Sequence, residues 1–169
     1  MSSVIVCPQS QLAEQIVLHR PSHIVTLTSG EVCTIAANHA FARLVLAFND
    51  ITEPRAGLVL PEVGHVAQLL DFVRAWPRHA PLLIHCHAGV SRSPAAAFIT
   101  AAALMPEQDE ARLAMQLRRL SPSATPNIRL IALADQLLAR QGRMETAIRT
   151  IGRGADAFEG EVFSLPIRP

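Results

Sequence analysis

The sequence predicts a single α/β domain, with a central, mostly parallel sheet of four or five strands flanked by helices. Short β-branched apolar runs alternate with longer amphipathic segments over residues 4–104, which is the pattern of parallel strands joined by helices. Beyond Pro94 the apolar spacing is helical only, so we expect a helix-rich C-terminal half. A chain of 169 residues that is 50% hydrophobic can bury one substantial core, so one domain is expected over residues 1–169.

The elements follow from these runs and from the residues that interrupt them. Strands are expected at residues 4–6, 23–28, 42–48 and 82–85, and helices at 10–19, 61–76, 94–105, 107–120 and 127–140. Gln141-Gly142 is expected to end the last of these helices. The tail over residues 152–169 has no interpretable pattern, apart from Phe158 and Phe163, which are candidates to dock on the core.

Composition excludes several classes of function. The net charge is +1 and the 15 basic residues, all arginine, are scattered along the chain, so no nucleic-acid-binding groove is expected. Only three cysteines occur, Cys7, Cys33 and Cys86, an odd number that argues against a disulfide scaffold and for a reducing compartment. No leader pattern or apolar run of about 20 residues is present, and a cytoplasmic location without a membrane span is expected.

A stretch over residues 82–99 carries the strongest functional signal. A short apolar run ends at Cys86, a loop of small residues follows, and a long apolar segment opens at Ser93-Pro94, which predicts strand, loop and helix. A cysteine at this position lies near unpaired backbone N–H groups and the positive end of the helix dipole. We therefore expect Cys86 to be a thiolate and the loop to bind an oxyanion such as phosphate.

The other residues of the loop suit the same role. Arg92 closes the loop and can offer two parallel N–H groups to phosphate oxygens, a planar contact that lysine cannot make. Gly89 lies where a tight loop most needs a residue without a Cβ. Ser93-Pro94 is expected to supply the N-cap and the first residue of the helix.

The run His85-Cys86, five residues, Arg92-Ser93 resembles the signature of the cysteine-dependent protein tyrosine phosphatases, and residues 88–93 are most similar to its dual-specificity branch. The resemblance extends over about residues 24–138. It implies that Cys86 attacks phosphorus to form a phosphocysteine, that Ser93 supports the departing thiolate, and that His85 has a supporting role. The phosphate would be held by the loop residues His87, Ala88, Gly89, Val90, Ser91 and Arg92.

A leaving alkoxide or phenoxide needs a proton, so a general acid is required. Asp50 follows a predicted strand and opens a long polar loop, and Ala47-Phe48-Asn49-Asp50 resembles the sequence around the acid of the family. Glu53 on the same loop is the rival carboxylate. His87 is expected to be a solvated loop histidine, and Ser91 to face the backbone of its own loop.

The resemblance implies a phosphatase acting on phosphotyrosine in proteins, with phosphoserine and phosphothreonine as further substrates. No cofactor or metal is expected, because Arg92 and backbone dipoles supply the positive charge and no histidine pair has metal-ligand spacing. Two alternatives remain open. One is a sulfurtransferase or arsenate-reductase-like enzyme, which needs no acid such as Asp50, and the other is a non-catalytic phosphate-binding module. Cys7 and Cys33 are both candidates for a redox partner of Cys86.

Overall fold

The fold contains one sheet of five strands, which confirms the predicted α/β class. In the computed structural model, which describes residues 2–168, the strands are β1 (Ser2–Pro8), β2 (His23–Thr28), β3 (Ala42–Ala47), β4 (Leu82–Cys86) and β5 (Phe163–Ile167). Their order across the sheet is β3-β2-β4-β1-β5. The first four strands run parallel to one another, and β5 pairs antiparallel with β1.

Six α-helices flank this sheet unequally. They are α1 (Leu12–His19), α2 (Val63–Ala75), α3 (Arg92–Leu104), α4 (Glu110–Leu120), α5 (Ile128–Leu137) and α6 (Arg143–Ile151), and a short 3₁₀ turn at Gln9–Gln11 precedes the first. The main core lies between one face of the sheet and α2 to α6. The other face is covered by α1 and by side chains of the segment that follows β2.

Helix α3 is the centre of the main core. It is buried around nearly its whole circumference, which its alanine-rich sequence permits because small side chains allow neighbouring elements to approach closely. The hydroxyl of Thr100 is satisfied inside the helix, where it donates to the carbonyl of Ala96 at 2.7 Å. This packing fixes the amino end of α3 against the end of β4, where the candidate loop lies.

Helix α6 and strand β5 are absent from the sequence-based expectations. Gly142 does not end a helix spanning residues 127–140 but precedes α6, in a left-handed conformation with φ of +82°. The carboxylate of Asp135 accepts the backbone N–H groups of Gly142 and Met144, which ties α5 to the start of α6. In the tail, Phe163 is buried in β5 as expected, but the docking predicted for Phe158 is wrong because its side chain is 94% exposed.

Parallel pairing brings the carboxyl ends of β1, β2, β3 and β4 to the same edge of the sheet. In open α/β sheets ligands bind in the crevice beyond these ends. The segments that begin at Gln9, Ser29, Phe48 and His87 therefore surround the place where a site is expected. No helix within residues 2–168 is both long enough and apolar enough to cross a membrane.

Candidate active site

A cavity of about 300 Å³ opens at the carboxyl edge of the sheet. Its walls come from three strand ends: Gln9 after β1, the segment from Leu27 to Glu31 at the end of β2, and His87 and Arg92 after β4. Apart from Leu27, the side chains that line it are polar or charged, with glycine at residue 30. The loop singled out by the sequence therefore forms one wall of a polar crevice.

Cys86 is the last residue of β4 and is buried at 3% exposure. Its sulfur accepts the backbone N–H of Gly89 at 3.3 Å and lies 3.1 Å from the hydroxyl of Ser93. Both groups can donate to a thiolate. These two contacts hold the sulfur in a defined position at the end of β4, which suits a nucleophile.

The amino end of α3 is left open to an anion. Helix α3 begins at Arg92, with Ser91 as its N-cap, so the expected start at Ser93-Pro94 is wrong by two residues. The Ser91 side chain makes no capping hydrogen bond to the helix backbone. The first-turn N–H groups of α3 thus lack the side-chain acceptor that commonly caps a helix, which is the arrangement of a helix N-terminal anion site.

The loop is held from outside through its carbonyl groups. The carbonyl of His87 accepts the N–H of Gln9 at 3.1 Å, and that of Ala88 accepts the N–H of Gly160 at 2.7 Å. The carbonyl of Val90 accepts the N–H of Thr125 at 2.8 Å, and that of Ser91 accepts the N–H of Asn127 at 3.3 Å. The C=O and N–H of a trans peptide point in opposite directions. With the carbonyls engaged by the surrounding chain, the N–H groups of Ala88, Gly89, Ser91 and Arg92 point the other way.

Gly89 is needed for space and for conformation. Its φ is +70°, and a Cβ built at this position would lie 2.9 Å from the backbone nitrogen of Pro8. A larger residue would push the loop away from the end of β1. The sequence-based expectation for this glycine agrees with both observations.

Arg92 is a buried cation at the rim of the loop. The residue is 6% exposed and lines the cavity. Its Nη1 donates to the carbonyl of Phe48 at 2.9 Å. None of the salt bridges found within residues 2–168 includes it. A buried charge without a counter-ion is costly, so this guanidinium is suited to binding an anion in the cavity.

Asp50 lies beyond β3 and reaches the loop. Its Oδ1 accepts the hydroxyl of Ser91 at 2.8 Å and the amide Nδ2 of Asn127, also at 2.8 Å. The expectation that Ser91 faces its own backbone is therefore wrong, since it holds the carboxylate of a distant loop. Asp50 and its rival Glu53 are both exposed, and the feature that distinguishes Asp50 is its hydrogen bond to Ser91 of the loop.

Asn127 is a site residue that the sequence did not reveal. It is 4% exposed and caps α5, where its Oδ1 accepts the N–H of Leu130 at 3.1 Å. Its Nδ2 donates to Asp50 and, at 3.2 Å, to the carbonyl of Ile51. The only local signal is Pro126-Asn127 ahead of an apolar run, which indicates a helix start and nothing about a carboxylate.

Comparisons with known proteins find solved structures with a similar fold. No protein-family model matches the sequence, and no curated protein matches it significantly. DUSP15 is similar in structure, with a TM-score of 0.65 and 14% identity over 87% of this chain and 90% of that chain. The chain has the fold of the dual-specificity phosphatases.

Two further structures have the same likeness. The human tyrosine phosphatase-like serine/threonine/tyrosine-interacting protein has a TM-score of 0.62 and 16% identity over 82% of this chain and 92% of its own. PTPMT1, solved in complex with PI(5)P, has a TM-score of 0.60 and 10% identity over 88% of this chain and 93% of its own. At these identities the likeness concerns the fold.

Within this dual-specificity phosphatase fold, His85 is a neutral core residue. Burial, with the nearby charge of Arg43, lowers the pKa of His85 to about 4. The Nε2 of His85 lies 2.8 Å from the hydroxyl of Thr26, and the same hydroxyl accepts the Nε–H of Arg43 at 2.9 Å. The Nδ1 of His85 has no hydrogen-bond partner among the described residues. His85 therefore supports the strand that carries Cys86 and is not placed to exchange a proton near neutral pH.

The other two cysteines differ in their surroundings. Burial, and then the neighbouring Cys86, raise the pKa of Cys7 to about 12, so this thiol stays protonated and is a poor partner for thiol exchange. Cys33 is half-buried, and its sulfur lies 3.4 Å from Nη2 of Arg43. All three cysteines are free.

The remaining predicted loop residues take supporting places. His87 is exposed and lines the cavity, Ala88 and Val90 are half-buried, and Ser93 is fully buried beside the sulfur. Within residues 2–168, no group of three or more His, Cys, Asp or Glu side chains is positioned to hold a metal ion.

Proposed function

We propose that this chain hydrolyses phosphate monoesters through a phosphocysteine on Cys86. The observation that carries the proposal is the position of the sulfur, held between the Gly89 amide and the Ser93 hydroxyl at the open amino end of α3. The fold supports the same class of reaction, because the similar structures are phosphatases or phosphatase-like by name.

In the first step the Cys86 thiolate attacks phosphorus and an S–P bond replaces the P–O bond to the alcohol. The departing oxygen takes a proton from Asp50. Both hydrogen bonds to this carboxyl group engage Oδ1, which leaves Oδ2 to carry that proton. Arg92 and the loop N–H groups bind the equatorial oxygens, where a phosphoryl transfer gains most of its stabilisation.

In the second step water attacks the phosphocysteine while Asp50, now a carboxylate, accepts a proton from it. The S–P bond breaks, phosphate is released and Cys86 departs as a thiolate. The Ser93 hydroxyl, 3.1 Å from the sulfur, is placed to donate a hydrogen bond to the charge that forms. The cycle needs no metal and returns the acid to its protonated form.

Phosphotyrosine in proteins is the proposed substrate, with phosphoserine and phosphothreonine as further substrates. A phosphoinositide is the natural comparison, because PTPMT1 was solved in complex with PI(5)P. The side chain of Glu31 lines the cavity and the phosphate loop contains no lysine, so a headgroup with several phosphates would meet a like charge. A cytosolic location is part of the proposal, since it keeps the nucleophilic thiol reduced.

The test is steady-state hydrolysis of aryl phosphate, phosphopeptides and phosphoinositides by the wild type and by paired variants. Cys86→Ser should abolish turnover but retain tungstate binding, whereas Cys33→Ser should leave turnover unchanged. Asp50→Asn should slow aryl phosphate hydrolysis by about 10²- to 10⁴-fold, the usual contribution of a general acid, and Glu53→Gln on the same loop should not.

Two results would contradict the proposal. Turnover by Cys86→Ser at the wild-type rate would exclude the phosphocysteine. Unchanged hydrolysis by Asp50→Asn would instead favour the sulfurtransferase or arsenate-reductase-like alternative, whose chemistry needs no such acid.

A further inference from the structure

The segment between α6 and β5 runs along the outside of the catalytic loop. Gly154 donates its N–H to the hydroxyl of Thr125 at 3.0 Å, and Ala155 donates to the carbonyl of Pro122 at 2.9 Å. Farther along, Glu159 accepts the hydroxyl of Ser10 at 2.9 Å. Residues 152–162, which we call the carboxyl strap, are thus anchored on both sides of the loop before the chain enters β5.

At its closest point the carboxyl strap donates a hydrogen bond to the loop itself. The N–H of Gly160 meets the carbonyl of Ala88 at 2.7 Å. The same peptide group carries, on its opposite side, the N–H of Gly89 that donates to the Cys86 sulfur at 3.3 Å. One peptide therefore connects the strap to the nucleophile, and a hydrogen bond to its carbonyl polarises its N–H toward the sulfur.

From this alignment we propose that Gly160 is a positioning residue for the nucleophile, and that the carboxyl strap forms part of the support of the phosphate site. This role rests on the proposed function. It concerns residues outside the range of about 24–138 that resembles the phosphatases in sequence. Gly160 acts through the Ala88–Gly89 peptide and does not touch the substrate.

Glycine is required at residue 160 for space. Its φ lies outside the left-handed region, so alanine would meet no backbone strain there. A Cβ would, however, overlap the carbonyl oxygen of Gly89 and lie 3.0 Å from its carbonyl carbon. On its other side Gly89 abuts the backbone of Pro8, so the loop cannot shift away from an added methyl group without losing its position beside Cys86.

The experiment compares Gly160→Ala with Gly64→Ala, whose added Cβ in α2 would have nothing within 4 Å. Three quantities are measured on each folded protein: the Kd for tungstate, the rate at which iodoacetamide alkylates Cys86 at pH 7 followed by peptide mass spectrometry, and kcat and KM for an aryl phosphate. Gly160→Ala should bind tungstate about tenfold more weakly, as expected if the displaced Gly89 N–H no longer donates one hydrogen bond to the charged anion. Alkylation and kcat should fall with it when measured at a temperature where both variants are folded, and the melting temperature should also fall below that of the control because the overlap is with backbone atoms.

Wild-type tungstate affinity and alkylation rate in folded Gly160→Ala would overturn the inference. If that variant does not fold, the test is an NMR titration of the wild-type protein labelled with [¹⁵N]glycine. The amide resonances of Gly160 and Gly89 should both move on tungstate titration while that of Gly64 stays, and a Gly160 resonance that stays while Gly89 moves would refute the connection.

The two proposals fail in different ways. A wild-type protein that hydrolyses no phosphate ester contradicts the proposed function. Tungstate binding and Cys86 alkylation remain measurable in that case, and they still report on the contact between the carboxyl strap and the loop.

Discussion

Asn127→Ser separates the two roles of the residue that caps α5 and holds Asp50, the proposed general acid. Serine is as good an N-cap as asparagine, but its side chain is too short to cap Leu130 and also reach Asp50. The substitution removes the donor that lies 2.8 Å from Oδ1 of Asp50 and leaves Ser91 as the remaining donor. This donor stabilises the carboxylate that forms as Asp50 gives up its proton. Loss of a hydrogen bond to a charged group costs about 1.5–3 kcal/mol, which corresponds to a rate roughly 10- to 100-fold lower.

The assay is the dependence of kcat on the leaving group. An activated aryl phosphate departs with little need of a proton, whereas phenyl phosphate depends on the acid, so we expect the loss to be concentrated in phenyl phosphate. Asn127→Ala serves as the comparison, because it also loses the N-cap of α5. Its melting temperature should be about 2–4 °C below that of the serine variant for each kcal/mol of unfolding free energy lost with the cap. Equal losses for both substrates in Asn127→Ser would refute the assignment of Asn127 as a holder of the acid.

Two further predictions concern the loop and the strand behind it. Arg92→Lys keeps the charge but loses the planar pair of N–H groups and the contact to Phe48. KM for aryl phosphate should therefore rise and kcat should fall. The control, Arg119→Lys at an exposed arginine, should match the wild type in the same assay. For His85, the pKa is 6.5 in the unfolded chain and about 4 in the fold. The unfolded state therefore binds more protons in this window, and about 3 kcal/mol of stability is lost as pH falls from 6.5 to 4. Urea unfolding of the wild type and His85→Gln across that range measures this difference, and identical pH slopes would exclude it.

The local structure of the signature loop could be predicted because neighbouring residues encode it. Cys86 ends an apolar run, Arg92 lies at the start of an alanine-rich helix, and Gly89 permits the turn between them. Each of these features follows from neighbouring residues. The pattern of parallel strands was predictable for a similar reason, since β-branched runs separated by amphipathic segments have few other arrangements.

The carboxylate network could not be predicted, because it depends on contacts between distant parts of the chain. Asn127 lies 77 residues from Asp50, and the two meet because the amino end of α5 lies beside the segment that follows β3. Sequence spacing says nothing about that packing. The start of α3 was misplaced for a related reason, since the Ser91 hydroxyl donates to Asp50 and does not cap the helix.

Strand β5 was missed because its sequence gives a weak local signal. Pro166 interrupts the run, which is tolerated at the edge of a sheet but not in its interior, and β5 is an edge strand beside β1. Its position became evident only from pairing with β1. The strap that leads into it was uninterpretable from sequence, although Gly160 touches the loop that sequence identified most strongly.

The support of the loop therefore comes from parts of the chain that the signature does not include. Gln9, Thr125, Asn127 and Gly160 each donate a backbone N–H to a loop carbonyl, and these contacts turn the opposite N–H groups toward the site. A protein could keep Cys86 and Arg92 and still lose this geometry. It follows that an intact signature is necessary for the proposed chemistry but insufficient. Substitutions that remove one of these four backbone N–H groups, as proline does, should weaken anion affinity even where the signature is untouched.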